Sequence, residues 1–347
     1  MRPPWDWPRR QLVLPRASDQ DPGPPCVVYI VRTAHGLDAP REFAETMRAH
    51  PPGIEHRLIL AMKGFRSELD AAPYIAAFGD LDFEVAYFPE PGIDLGLYFE
   101  AAARIRGGRY CFLSSHNRPV ADGWLAKLNS ALDLPDVGIV GPTGSWASFH
   151  SWVTYSMGLP SFYRGVLPPV REARKLLREV DFEQLGIDER SKLDSLRTRL
   201  KLLSQLPEEL FAFPPFPVAH VRTAAFMLSH DVLRAMRLFV VRTKMDTYVL
   251  ESGSLSLTNQ AMRMGLRALV VDSEGAVYEP DEWHRSGTLW QGQQERLVLR
   301  DNRTSYYERG DLRRRQVLAG LAWGHYADPS PPRESRQDPH GEPVVGV

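Results

Sequence analysis

The densest cluster of polar chemistry in the chain follows an apolar run. Tyr110-Cys111-Phe112-Leu113 stops at Ser114-Ser115-His116-Asn117-Arg118-Pro119, and Asp122-Gly123-Trp124-Leu125 then opens an amphipathic segment. Two hydroxyls, an imidazole and a carboxamide therefore sit where a strand ends, the edge at which open α/β sheets hold ligands. The His116 imidazole is a competent ligand for Mn²⁺ or another transition ion, whereas hydroxyls without a carboxylate are poor partners for Mg²⁺. A hydrogen-bonded loop histidine is the plainer reading, and both stand at this point. Without a metal, cations must take its place. Arg222, His220, Lys63 and Arg118 are candidates, and a guanidinium can grip phosphate through two parallel hydrogen bonds. Each of these is equally readable as a surface or strand-edge charge.

Positioning such groups requires a sheet, and the chain has the material for one. At 347 residues it exceeds the usual single domain, although α/β domains with insertions reach this size. With 43% hydrophobic and 24% charged residues, a sizeable core is expected. A formal net charge of −1 removes the simplest case for nucleic-acid binding, and none is expected. Cys26 and Cys111 lie in apolar, strand-like runs without metal-ligand spacing and read as small buried hydrophobes. No apolar run approaches the roughly 20 residues that span a bilayer, and the first 25 residues lack the apolar core of a secretory signal. A cytoplasmic protein is expected, with work at the inner face of a membrane as an open alternative.

Apolar runs at Val27–Val31, Arg57–Met62, Phe83–Phe88, Tyr110–Leu113 and Val137–Val140 predict five strands, and Val218–Leu228 a further one. Helices are predicted near Arg41–His50 and Asp94–Arg106, the second with Ile93, Leu97, Ala101 and Ile105 on one face and Gly107-Gly108 at its end. The strand–helix alternation argues for an α/β fold, a mostly parallel sheet with helices on both faces. Prolines and charged helices near Val170–Val180 and Arg190–Leu206 mark residues 151–217 as a helical insertion. The second helix carries Leu193, Leu196, Leu200 and Leu203 as one stripe beside Arg197, Arg199 and Lys201, which reads as a solvated lid or as a membrane-surface helix. Residues 1–25, with Trp5 and Trp7, and 328–347 read as an extended arm and a disordered tail.

The unit around Ser114 resembles the centre of a family 2-type glycosyltransferase of the GT-A fold, where the same place reads Phe-Leu-Asp-x-Asp-x-x-Pro…Gly-Trp-Leu. Pro91-Gly92-Ile93-Asp94-Leu95-Gly96-Leu97-Tyr98 is similar to an element of the rhamnan-synthesis-F-like bacterial subgroup, and Val137-Gly138-Ile139-Val140-Gly141 to a strand of both groups. His220 to Leu228 resembles the strand before the catalytic acidic motif, and Met245-Asp246-Thr247-Tyr248 with Leu250-Glu251 matches that motif's surroundings loosely. The resemblance runs from about Val27 to Val271, within a single GT-A-like domain of residues 26–327. Beyond it, Asp301-Asn302-Arg303-Thr304-Ser305-Tyr306-Tyr307 stands as a closing element with no role attached.

The resemblance implies an inverting glycosyltransferase of bacterial cell-surface polysaccharide synthesis, with a nucleotide-sugar donor and a saccharide acceptor. In the family, paired aspartates hold Mn²⁺ or Mg²⁺ on the donor; here Ser114 and His116 occupy those positions, so the activity is either metal-dependent through His116 or metal-independent. Glu251 is the implied catalytic base, and Asp246 is a second implied catalytic residue. Glu251 is placed just before a helix at Leu255–Met264, where a plain first-turn cap competes with the catalytic role. Thr33, His35, Asp94, Ser114, Ser115, His116 and Arg222 are the implied donor-binding residues, with Asp94 equally readable as a helix cap. Gly141 and Gly144 read as turn residues or as points of close approach to the sugar, and Trp146, Trp152, Trp283 and Trp290 as core residues or a sugar-stacking platform. The competing class is a catalytically inactive GT-A domain that binds glycans or a partner. A nucleotidyltransferase is disfavoured, because Arg32-Thr33-Ala34-His35-Gly36 lacks the glycine- and lysine-rich first loop.

Overall fold

The computed structural model describes residues 11–15, 23–88, 93–177 and 212–330. Trp5, Trp7, the helix expected at Arg190–Leu206 and the tail beyond residue 330 lie outside the described residues. A mostly parallel eight-stranded sheet forms the centre, so the α/β class is as the sequence predicts. Its strands are β1 (Cys26–Arg32), β2 (Arg57–Lys63), β3 (Glu84–Phe88), β4 (Arg109–Leu113), β5 (Val137–Gly141), β6 (Ala225–Ser229), β7 (Arg267–Val271) and β8 (Val277–Tyr278). They lie side by side in the order β8-β7-β5-β6-β4-β1-β2-β3. β1 runs parallel to β2 and β4, β2 to β3, and β5 to β7. β6 runs antiparallel to β4, with Ala225 opposite Leu113 and Ser229 opposite Arg109.

Helices cover both faces. α1 (Asp38–Ala49), α2 (Glu68–Ala76), α3 (Asp94–Arg104) and α4 (Trp124–Leu132) belong to the first half. α5 (Phe149–Ser156), α6 (Val170–Leu176), α7 (His230–Ala235), α8 (Lys244–Glu251), α9 (Leu257–Arg263), α10 (Asn302–Glu308) and α11 (Leu312–Trp323) follow. The sequence of β1 shows why two layers of helix are needed. Val27, Tyr29 and Val31 pack with Phe43 and Met47 of α1 and Trp124 and Leu128 of α4. Cys26, Val28 and Ile30 pack on the other side with Leu95, Tyr98 and Phe99 of α3. A strand buried on both faces must be apolar at every position, and each fully buried Val or Ile contributes about 1.5–3 kcal/mol. Both cysteines are free and buried, and burial pushes their thiols up.

Two expectations change. The run Val218–Leu228 is not one strand: His220–Val221 pairs antiparallel with Gly144–Ser145, and β6 begins only at Ala225. Arg222-Thr223-Ala224 is thereby freed to turn at the sheet edge. Gly141 and Gly144 are packing residues rather than turns or sugar contacts. A Cβ on Gly141 would sit 2.3 Å from the Val221 side chain, and one on Gly144 would sit 2.5 Å from the Trp283 ring.

Candidate active site

Parallel strands deliver their carboxyl ends to one edge, and an antiparallel strand delivers its beginning there. Arg32 and the turn Thr33–His35 follow β1, Ser114–Asn117 follow β4, and Arg222–Ala224 precede β6. The Ser114 N–H donates to the Ala224 carbonyl at 2.9 Å, locking the last two together. A short ribbon then pairs Arg118–Pro119 with Leu299–Arg300, which carries the C-terminal segment to the same edge. Between these pieces lies a cavity of about 430 Å³. Its lining includes Arg32, His35, Asp94, Ser114, His116, Arg222, Glu251, Trp152, Trp290 and Arg303.

On the β1–β4 side most polar groups are already partnered. The Asp94 carboxylate lies 3.3 Å from both Arg32 and Lys63, and Lys63 is only 1% exposed. Asp94 is a first-turn residue of α3 whose cap position belongs to Ile93, so its role as a cap is replaced by these ion pairs. The Ser114 hydroxyl donates to Asn117 Oδ1 at 2.8 Å. His35 Nδ1 and Ser115 Oγ lie 2.6 Å apart, and Ser115 itself is buried below the cavity surface. The His35 and His116 rings meet with centroids 4.4 Å apart. Burial, then the neighbouring His116 and Arg32, lowers His35 to about 4. Burial also holds His116 below the usual imidazole value, against the opposing pull of Asp301 and Asp94. Thr33 does not reach the cavity; it is exposed, with its hydroxyl directed to the Gly64 carbonyl at 3.4 Å.

These residues do not fit a resident divalent metal. The Ser114 hydroxyl is committed to Asn117, and the two carboxylates nearest His116 are held by cations, Asp94 by Arg32 and Lys63 and Asp301 by Arg222. Among the described residues no group of three His, Cys, Asp or Glu side chains is arranged to hold an ion. His116 offers a single nitrogen, which is too little for Mn²⁺ or Mg²⁺.

The opposite wall is built differently. Glu251 is the last residue of α8, not the first of α9, whose cap is Ser256. A carboxylate at a helix C-terminus is disfavoured by the helix dipole, so the first-turn cap considered from sequence does not exist. Its compensation comes from outside the helix: Glu251 Oε1 accepts the Thr223 N–H at 3.0 Å. Buried His220 lies within its field. Burial depresses the His220 pKa despite Glu251, and Nδ1 sits 2.7 Å from the Val218 carbonyl. A carbonyl only accepts, so Nδ1 carries the proton and Nε2 is the basic nitrogen. Asp246 is absent from the cavity lining. Its carboxylate accepts the N–H groups of Arg242 and Thr243 at 3.0 and 2.9 Å in a capping box at the other end of α8.

Arg222 pairs with Asp301 at 2.7 Å, with both side chains nearly buried. Burial pulls the Asp301 pKa upward, but Arg222 and the Thr304 N–H outweigh it and leave the carboxyl below its ordinary value. Of the four tryptophans considered, only Trp152 and Trp290 line the cavity. Trp283 is fully buried and Trp146 donates to the Pro280 carbonyl, so both are structural. Trp290 adopts φ 47°, a left-handed conformation costing on the order of 1–3 kcal/mol for a bulky residue. The Tyr98 and Thr247 hydroxyls line the cavity, buried and without a hydrogen-bond partner among the described residues. Unsatisfied buried hydroxyls of this kind fit a polar ligand or water. Arg32, Arg303, Tyr98 and Thr247 were not singled out from sequence. Arg32 ends an apolar run, and the other three lie within segments quoted from the sequence without a role for the individual residue.

No family model matches the chain, and no curated protein matches it. Solved structures similar to parts of it include the mannosyltransferase PcManGT from Pyrobaculum calidifontis in complex with GDP-Man and Mn²⁺. The identity is 13% over 40% of this chain and 39% of that one, with a TM-score of 0.29. The galactosyltransferase LgtC, in complex with donor and acceptor sugar analogues, is 11% identical over 67% and 72% of the two chains, with a TM-score of 0.31. Glucosyl-3-phosphoglycerate synthase from Mycobacterium tuberculosis, in complex with Mn²⁺, UDP and phosphoglyceric acid, is 14% identical over 66% of each chain, with a TM-score of 0.29. The chain thus spans less than half the length of the mannosyltransferase. Likenesses this distant carry no inference about activity.

Proposed function

We propose that the chain is a GT-A-type glycosyltransferase that moves a sugar from a nucleotide-sugar donor to a saccharide acceptor in bacterial cell-surface polysaccharide synthesis. The supporting observation is the convergence of four separate segments on one cavity: Arg32 with His35, Ser114 with His116, Arg222 with Thr223, and Glu251. Glycosyl transfer needs a stabilised diphosphate leaving group, a base for the acceptor hydroxyl and exclusion of water. Arg32, Arg222 and the neutral imidazoles His35 and His116 meet the donor. Tyr98, Phe149, Trp152 and Leu289 supply apolar walls. Glu251 removes the acceptor proton as the hydroxyl attacks the sugar carbon from the face opposite the leaving group, which inverts that carbon. The C–O bond to the diphosphate breaks as the new glycosidic bond forms.

The domain is read as residues 26–327 with a helical insertion at about 151–217. A cytoplasmic location, at the inner face of a membrane, suits the donor; among the described residues no helix is long and apolar enough to cross one. Product formation from UDP-, GDP- and dTDP-sugars tests the reading, with oligosaccharide acceptors. Transfer abolished in Glu251→Gln, with folding intact, supports it. Donor binding without transfer, across many acceptors, establishes the second reading instead, a non-catalytic glycan- or partner-binding domain. The replacement of both family aspartates by Ser114 and His116 favours that alternative.

A further inference from the structure

The closing element Asp301–Tyr307 has so far served no function, yet it enters the cavity through Asn302 and Arg303. Arg303 differs from Arg32 and Arg222, the other guanidiniums in the cavity lining. Arg32 and Lys63 share Asp94, and Arg222 is matched by Asp301. Among the described residues, no side chain forms an ion pair or hydrogen bond with the Arg303 guanidinium. Burial, and then the like charge of Arg222, pulls its pKa below the usual arginine value, while Tyr248, Asp301 and Glu251 oppose that shift. A cation held in this way is short of negative charge.

The surrounding structure fixes its position. Trp290 Nε1 donates to the Arg303 carbonyl at 3.1 Å, and the strained Trp290 backbone is held by Gln294 Oε1, 3.0 Å from its N–H. Asp301 caps α10 through the Thr304 N–H at 2.8 Å, and the Thr304 hydroxyl lies 2.8 Å from the Asp301 N–H in return. The same Asp301 carboxylate holds Arg222. One acidic residue therefore orients two guanidinium groups, one neutralised and one not. Two cations against one carboxylate around Asp94 leave a second positive excess on the facing wall.

We infer that Arg303 is the anchor for a diphosphate group, binding it without a divalent metal in the cavity where the family aspartates would have held one through a metal. This rests on the glycosyltransferase reading for the identity of the ligand, but not for its charge. The chemical class is a pyrophosphate ester, with the guanidinium donating two N–H bonds to phosphoryl oxygens. Such an anchor supplies fixed positive charge where the leaving group gains negative charge.

The test is calorimetric binding of inorganic pyrophosphate, UDP, GDP and dTDP to the full chain in EDTA, and again with Mn²⁺. The wild type is expected to bind pyrophosphate and at least one nucleotide in EDTA, with affinity unchanged by Mn²⁺ and weakened by added salt. Arg303→Met should weaken both at least tenfold, and Arg303→Lys should recover part of the loss while unfolding at the wild-type temperature. Equal affinity in Arg303→Met, or binding that appears only with Mn²⁺, overturns the inference. Sugar transfer that persists unchanged in Arg303→Met removes the anchor and leaves the enzyme standing. Arginine-dependent pyrophosphate binding without transfer to any acceptor does the reverse.

Discussion

The two walls of the cavity carry similar residue types but differ in how far these are satisfied by their neighbours. On the β1–β4 wall, Asp94, Ser114, Ser115 and His35 are all engaged with neighbours within the wall. On the facing wall, Arg303 has no ion-pair partner and the Thr247 hydroxyl has none either, among the described residues. Glu251 lies at the end of its helix that least favours its charge. Groups satisfied by their own surroundings gain little from a ligand, whereas unsatisfied buried groups gain the most. The wall that carries Ser114 and His116 is therefore the quieter one, and more unsatisfied groups lie across the cavity.

The largest expected effect separates the walls directly. Glu251→Gln keeps an oxygen for the Thr223 N–H but removes the proposed base, so turnover should fall about 10²–10⁴-fold. Ser114→Ala, on the satisfied wall, should cost far less. Steady-state rates with matched unfolding temperatures measure both; a Glu251→Gln enzyme as active as wild type would move the base elsewhere.

Next in size is the bridge beneath the active wall. Asp301→Ala leaves Arg222 without its partner in a nearly buried setting, and breaking such a pair costs about 3–5 kcal/mol. Asp301→Asn retains the acceptor for Thr304 and should lose less. Urea midpoints at constant slope read the difference. Equal, small losses in both would show that the bridge contributes little.

Acid provides a third comparison, because both walls hold depressed histidines. His35 lies at about 4, and burial lowers His116 and His220 as well. Below about 6.5 the unfolded chain takes up protons that these folded imidazoles refuse, so stability falls as pH drops from 6.5 toward 4. Above that window the contribution is constant. The unfolding temperature should decline steadily between pH 6.5 and 4.5, with a shallower decline in His35→Gln. A flat profile over that range rejects the burial-driven shifts.

How much of this was legible in the sequence follows from the range of each signal. The strands β1, β2 and β5 were evident because burial on both faces demands unbroken apolar runs, and Val27–Val31 and Val137–Val140 have no other explanation. The division of Val218–Leu228 was not, because it depends on pairing with Gly144–Ser145, some 75 residues away. α2 is not legible in the sequence, since Pro73 inside Glu68–Ala76 reads as a breaker. Ser114 and His116 are legible as the polar end of an apolar run, whereas Arg222 and Glu251 are implied by the family resemblance; all four line the cavity. Arg303 gave no local sign. One arginine in a polar segment has no period, and its lack of a partner is visible only once the chain is folded.

Asp246 gives the smallest effect and the sharpest contrast with Glu251, since the two acids stand at opposite ends of one short helix. An acid near a helix N-terminus satisfies backbone N–H groups and is favoured by the dipole; one at the C-terminus is neither. Asp246 closes the capping box with Thr243, so Asp246→Ala should cost about 1 kcal/mol of stability. Turnover measured well below the unfolding temperature should match wild type, because the lost N–H acceptor lies away from the cavity lining. A rate loss comparable to that of Glu251→Gln, with stability unchanged, would return Asp246 to the reaction and make α8 catalytic at both ends.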